Sequence, residues 1–157
     1  MERKAFLKTL GAGAAFALAF PCLHGCSSDS GNSDVDPEDQ KPVPTGVDFT
    51  IDLNASSSAN LQSNGGFIFA KSKETFTENN IIIVRNLEGN LVAASKICSH
   101  QQTDAVEFVN EGGGIYECST HGSRFDQTGK PLNSITTNPL KIFNTELLAN
   151  DMLRIFE

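Results

Sequence analysis

Cys98 and His100 form a C-x-H pair, and Cys118 and His121 form a C-x2-H pair further along the chain. Thiolates and imidazoles together suit borderline and soft transition metals, zinc and iron foremost. Two such pairs supply four ligands, enough for a structural zinc site or for a mixed-ligand iron–sulfur centre. Zinc sites usually leave about two to four residues within a pair, so C-x-H is tight for zinc. Gly122 directly follows the second His, and each pair is set in loop-forming residues between β-like segments. Two facing loops are the arrangement such pairs need.

The text around the pairs narrows the choice. The first box reads CSHQQTDAVEF and the second reads YECSTHGSRFDQTGKPL. On these residues the chain resembles the Rieske iron–sulfur family over roughly residues 47–157. The resemblance implies one 2Fe–2S cluster per chain. By it, Cys98 and Cys118 hold the buried iron. His100 and His121 replace Cys on the outer iron, which raises the reduction potential. The outward edges of those imidazoles are then the electron's exit, and loss of their protons in the oxidised state couples the electron to a proton.

The same resemblance assigns neighbouring positions. Ser123 stands where a hydroxyl donates to a bridging sulfide, and Phe125 stands where high-potential members carry a Tyr donating to a Cys sulfur. These two are cluster-tuning positions, because hydrogen bonds to cluster sulfurs stabilise the reduced state. One donor kept and one lost imply a potential inside the family range of roughly −150 to +300 mV. Thr103 and Thr120 occupy the positions of the disulfide found in members of cytochrome bc complexes, so no disulfide is expected. Residues 133–140, NSITTNPL, resemble the Pro loop that shields the cluster, with Ser134-Ile135-Thr136 in place of its usual Gly-Pro-Ala turn.

The elements that must position these residues are strands. Segments rich in β-branched and aromatic residues predict strands at Phe49–Leu53, Phe67–Ala70, Ile81–Arg85, Leu91–Ile97, Ala105–Phe108, Ile115–Glu117, Ser123–Phe125, Leu140–Asn144 and Leu153–Phe156. Leu87–Leu91 reads as a hairpin turn, Gly112–Gly114 as a turn between the boxes, and Leu61–Gly66 as a polar loop. The expected fold is all-β: an antiparallel Rieske-type β-sandwich with a small cluster-binding subdomain made by the two Cys/His loops. Phe49, Phe67, Phe69, Ile82, Val84, Phe143 and Ile155 are expected in the core.

The chain start speaks of place. Arg3, Lys4 and Lys8 precede a small and apolar run from Gly11 to Leu23 that ends in Leu23-His24-Gly25-Cys26. A membrane-spanning helix needs about 20 apolar residues, and this run is shorter. Residues 1–25 read as a lipoprotein signal peptide, resembling a twin-arginine export signal with Lys at the second Arg, and Cys26 as the lipidation site. Residues 26–46, rich in Ser, Asp and Pro, read as an acidic flexible tether. Residues 47–157 are the Rieske domain. The expected localisation is exported and anchored to a bacterial membrane through lipid.

The chain carries −7 at neutral pH. That argues against a nucleic-acid partner, which would need a basic face, and none is expected. It fits either a basic docking partner or ordinary solubility. The expected function is one-electron transfer, as a stand-alone carrier or as a subunit of a respiratory or periplasmic oxidoreductase. A redox protein, such as a cytochrome or an oxidoreductase subunit, or a quinol would be the partner. The alternatives are a zinc-stabilised binding module on the same ligands and a ferredoxin feeding a Rieske oxygenase. The chain has three His, namely His24, His100 and His121. Two are spent on the cluster and His24 lies in the leader, so the two-His facial triad of an oxygenase cannot be supplied, and no catalytic residue is expected.

Overall fold

The computed structural model describes residues 37–73 and 76–157. Among them are nine strands: β1 Asp48–Asp52, β2 Phe67–Ala70, β3 Ile81–Arg85, β4 Leu91–Ser95, β5 Val106–Val109, β6 Ile115–Cys118, β7 Ser123–Phe125, β8 Ile142–Leu147 and β9 Met152–Phe156. Every pairing is antiparallel. Six strands form one sheet in the order β1-β9-β8-β4-β3-β2, and β5-β6-β7 form a second. The all-β expectation holds, with all nine segments found as strands.

Strand β3 explains how the two sheets share a core. Ile81, Ile82, Ile83 and Val84 are all fully buried. Successive side chains of a strand point to opposite faces. Ile81 and Ile83 therefore join Val47, Leu53, Leu61, Phe143, Leu153 and Ile155 on one side. Ile82 and Val84 join Val106, Phe108, Tyr116, Phe125 and Leu140 on the other. A run that is apolar at every position is what a strand covered on both faces needs. Its register, Ile82 opposite Ala94 and Val84 opposite Val92, is fixed because a one-residue slip would exchange the two faces. Cys98 and Cys118 belong to the second core.

Four expectations are corrected. Strand β4 ends at Ser95 rather than Ile97. The Ser95 hydroxyl donates to the Ile97 carbonyl at 3.0 Å and accepts from the Ile97 N–H at 2.9 Å, a local pairing that turns the chain out of the ladder. The predicted loop at 61–66 is partly a 3-10 helix, Ser56–Gln62, whose one large apolar side chain, Leu61, is fully buried. Its other buried residue is the polar Ser58, so the run leaves no apolar periodicity to read. Phe49, Phe67 and Phe69 lie half-buried against the cores rather than inside them.

The last correction concerns the tether. The Lys41 N–H donates to the Gln102 carbonyl at 2.8 Å, Lys41 pairs with Glu78 at 3.3 Å, and Pro44 is buried. Residues 41–46 thus pack on the domain, ahead of the expected boundary at 47. Proline rings lose little entropy on docking, which favours this contact. The signal peptide, Cys26 and tether residues 26–36 lie outside the described residues.

Candidate metal centre

The first Cys/His loop leaves β4 and returns as β5. The Cys98 N–H donates to the Thr103 carbonyl at 2.8 Å, and the Gln102 N–H donates to the Cys98 carbonyl at 2.9 Å. Gln102 pays for this tight closure with a left-handed backbone, φ +56°. The second loop is the connection from β6 to β7. Cys118 ends β6, Ser123 begins β7, and the two are register partners. The Gly122 N–H closes the loop on the Cys118 carbonyl at 2.8 Å. Gly122 has φ +73°, a conformation a side chain would strain. The Ser119 N–H donates to the Ala105 carbonyl at 3.0 Å and ties the second loop to the first loop's exit.

This brings all four sequence-predicted ligand candidates together. Cys98 and Cys118 are buried free thiols. The rings of His100 and His121 meet edge to face, 5.1 Å apart at 89°. In each loop the backbone N–H two residues beyond the Cys is directed at its sulfur, His100 toward Cys98 and Thr120 toward Cys118. The two thiols adjoin, and a hydrogen bond between them is the largest influence on each. That bond, together with burial, pushes the Cys98 thiol up. The same bond pulls the Cys118 thiol down, aided by Thr103 and Thr120 against the opposing effect of burial. Metal binds the thiolate form, so loading the site releases thiol protons.

Nδ1 of His100, Nδ1 of His121 and Oγ of Ser123 are buried without a protein partner. Buried polar atoms normally have partners, so three orphans around two thiols are a donor set awaiting a group. Ser123 neighbours the Cys98 sulfur but makes no bond of ordinary geometry to it. Two imidazole nitrogens and two sulfurs fit the two-plus-two ligand demand of a 2Fe–2S cluster, in which each iron takes two protein ligands.

Phe125, expected as a tuning position, is fully buried in β7 opposite Tyr116. It has no hydroxyl to offer a sulfur. Thr103 and Thr120, expected only as the positions of a missing disulfide, carry hydroxyls that meet near a sulfur, and the sequence gives no sign of a third group, the Tyr116 hydroxyl. The Thr120 hydroxyl donates to the Thr103 hydroxyl at 3.1 Å, and Thr103 Oγ1 lies 3.6 Å from Cys118 Sγ. Tyr116 OH is buried and unpartnered, and burial pushes its ionisation up. The expected third loop lies against both cluster loops. The Ser99 hydroxyl donates to the Asn138 carbonyl at 2.8 Å, and Asn133 Nδ2 donates to the Gly122 carbonyl at 2.7 Å.

The tip made by these loops is uncharged. Residues 99–103, 119–123 and 132–140 contain no Asp, Glu, Lys or Arg. The bordering charges are paired: Asp104 with Lys96 at 3.6 Å, Arg124 with Glu117 at 2.8 Å, and Lys141 with Glu157. Among the described residues, the acidic side chains thus lie outside these three loops.

An antiparallel all-β scaffold presenting two Cys/His loops defines the class of iron–sulfur electron-transfer domains. The Rieske [2Fe-2S] domain family matches residues 56–144, more than half of the chain, and the chain belongs to this family. Membership implies a 2Fe–2S cluster and electron transfer through it with a redox partner. No curated protein matches the sequence. Among solved structures, a chain of the complex of reduced oxygenase and oxidised ferredoxin in carbazole 1,9a-dioxygenase shares the fold. Its TM-score is 0.53 at 18% identity, covering 71% of this chain and 94% of that one. The ferredoxin of carbazole 1,9a-dioxygenase from Nocardioides aromaticivorans IC177 is 25% identical over 48% of this chain and 73% of its own, with TM-score 0.42. The plasma membrane Rieske protein PetC3 from Synechocystis PCC 6803 is 27% identical over 47% of this chain and 74% of its own, with TM-score 0.40.

Proposed function

We propose that this chain is a one-electron carrier whose cluster is held by Cys98 and Cys118 on one iron and by His100 and His121 on the other. The observation that carries this reading is the pair of buried, unpartnered Nδ1 atoms beside two buried thiols. When bound, the cluster supplies reversible one-electron chemistry. The chain's own residues do the rest. The buried thiols keep water from one side of the site. The half-exposed imidazoles at the uncharged tip give the electron its shortest route to a partner. The third loop, bonded to both cluster loops, covers the site's flank.

The reading extends to place and partner. Cys26 becomes the lipidated N-terminus of an exported protein, held at a bacterial membrane by an acidic tether. The protein works there as a stand-alone carrier or as a subunit of a larger oxidoreductase. It exchanges electrons with a cytochrome, another redox subunit or a quinol. Purified protein should contain about two irons and two labile sulfides per chain. Zinc without sulfide would overturn the cluster assignment. Mass spectrometry of the native protein tests the anchor separately: an acylated N-terminal Cys26 is expected, and a mature protein that begins elsewhere without acyl mass refutes it.

A further inference from the structure

Thr103 and Thr120 face each other across the two loops. Their hydroxyl oxygens are 3.1 Å apart, and Thr103 Oγ1 is 3.6 Å from Cys118 Sγ. A hydroxyl has one hydrogen to give and two lone pairs to receive with. A metal-bound thiolate only accepts. Thr103 must therefore spend its hydrogen on Cys118, which leaves its lone pairs for the hydrogen of Thr120. The direction of the chain is fixed: Thr120 to Thr103 to Cys118.

We propose that Thr120, Thr103 and Cys118 form a directed hydrogen-bond relay that tunes the cluster and ties its two loops together. It rests on the reading of Cys98, His100, Cys118 and His121 as cluster ligands. The relay gives Cys118 a hydroxyl donor from the opposite loop, where Phe125 offers none. A donor to a ligand sulfur favours the reduced state and raises the potential. Accepting from Thr120 polarises the Thr103 hydroxyl and strengthens its bond to sulfur. Thr120 is exposed and its hydroxyl has one hydrogen, which it donates to Thr103 rather than to the sulfur, so it acts as a positioning residue.

The test is a set of variants read by reduction potential, with iron and sulfide content measured on each. T103V keeps the shape and removes the donor, and its potential should fall. T120V should lower it by less. The double variant T103V/T120V should match T103V alone, because Thr120 works only through Thr103. T103S should restore the wild-type potential. The iron–sulfur stretching frequencies should shift in D2O in the wild type, and T103V should lose part of that shift. A cluster-bearing T103V with unchanged potential, or additive effects in the double variant, overturns the relay and leaves the ligand assignment standing. If T103V assembles no cluster, T120V decides: an unchanged potential there also overturns it. Wild-type protein lacking iron and sulfide would bring down the ligand assignment, and the relay with it.

Discussion

The Ser99 hydroxyl donates to the Asn138 carbonyl at 2.8 Å, joining the first Cys/His loop to the third loop. Ser99 lies between Cys98 and His100, so this bond holds the loop at its ligand-bearing segment. Asn133 does the same for the second loop through the Gly122 carbonyl, next to His121. Each bond contributes about 0.5–1.5 kcal/mol net. S99A and N133A should each speed bleaching of the cluster by a chelator, and the double variant should be worse than either. Bleaching at the wild-type rate in all three would remove the third loop from the account.

Two buried hydroxyls lack partners, and they should behave oppositely. Ser123 neighbours the Cys98 sulfur, whereas Tyr116 packs edge to face on Phe108 with ring centroids 5.7 Å apart. S123A should lower the reduction potential with the cluster intact, because it removes a donor from the sulfur side. An unpartnered buried hydroxyl costs about 1–3 kcal/mol, so Y116F should be neutral or stabilising in denaturant melts. A potential unmoved by S123A would remove its assigned hydrogen bond. A clear destabilisation by Y116F would mean that its hydroxyl has a partner.

Asp126 links acid sensitivity to the third loop. Its carboxylate accepts from Thr128 N–H at 2.8 Å, Thr128 hydroxyl at 2.6 Å and Lys130 N–H at 3.0 Å. Partial burial opposes the charge, but these bonds and the nearby Lys130 outweigh it and hold the carboxyl below its usual range. The turn it caps places Gly129, whose carbonyl accepts from the Leu140 N–H at 2.8 Å. A folded carboxyl held low stabilises at pH values above the unfolded Asp value and loses that contribution as pH falls through the folded value. D126A should lower neutral-pH stability by about 1 kcal/mol and flatten the acid limb of a pH–stability curve. An acid limb identical to wild type would contradict this.

The uncharged tip predicts how partners dock. With no charge in the three tip loops and the bordering charges paired, docking depends on short-range contact more than on steering. Electron-exchange rates should change by less than about threefold between low and near-molar salt. A fall of ten- to a thousandfold, as steered pairs show, would point to a charged docking face elsewhere on the chain.

The parts of this protein legible in its sequence are those written contiguously. The Ile81–Val84 run names a strand covered on both faces, because every position must be apolar there. The two Cys/His boxes name themselves because each carries its thiol, its imidazole and its closing turn within a few residues. What escaped reading depends on distance along the chain. Ser99 meets Asn138, and Asn133 meets Gly122, only after the sheets have assembled. Lys41 reaches Gln102 from a segment whose composition says tether. Leu61 hides in a polar run, since one large apolar side chain makes no pattern.

The most direct measurement is pulsed EPR on the reduced protein. Two distinct nitrogen couplings are expected, one from His100 and one from His121, on the signal of a mixed Cys/His 2Fe–2S centre. H100C and H121C should each remove one coupling and lower the potential, or else lose the cluster. A reduced signal without strong nitrogen coupling, or no 2Fe–2S signal in protein that binds zinc, would contradict the central claim.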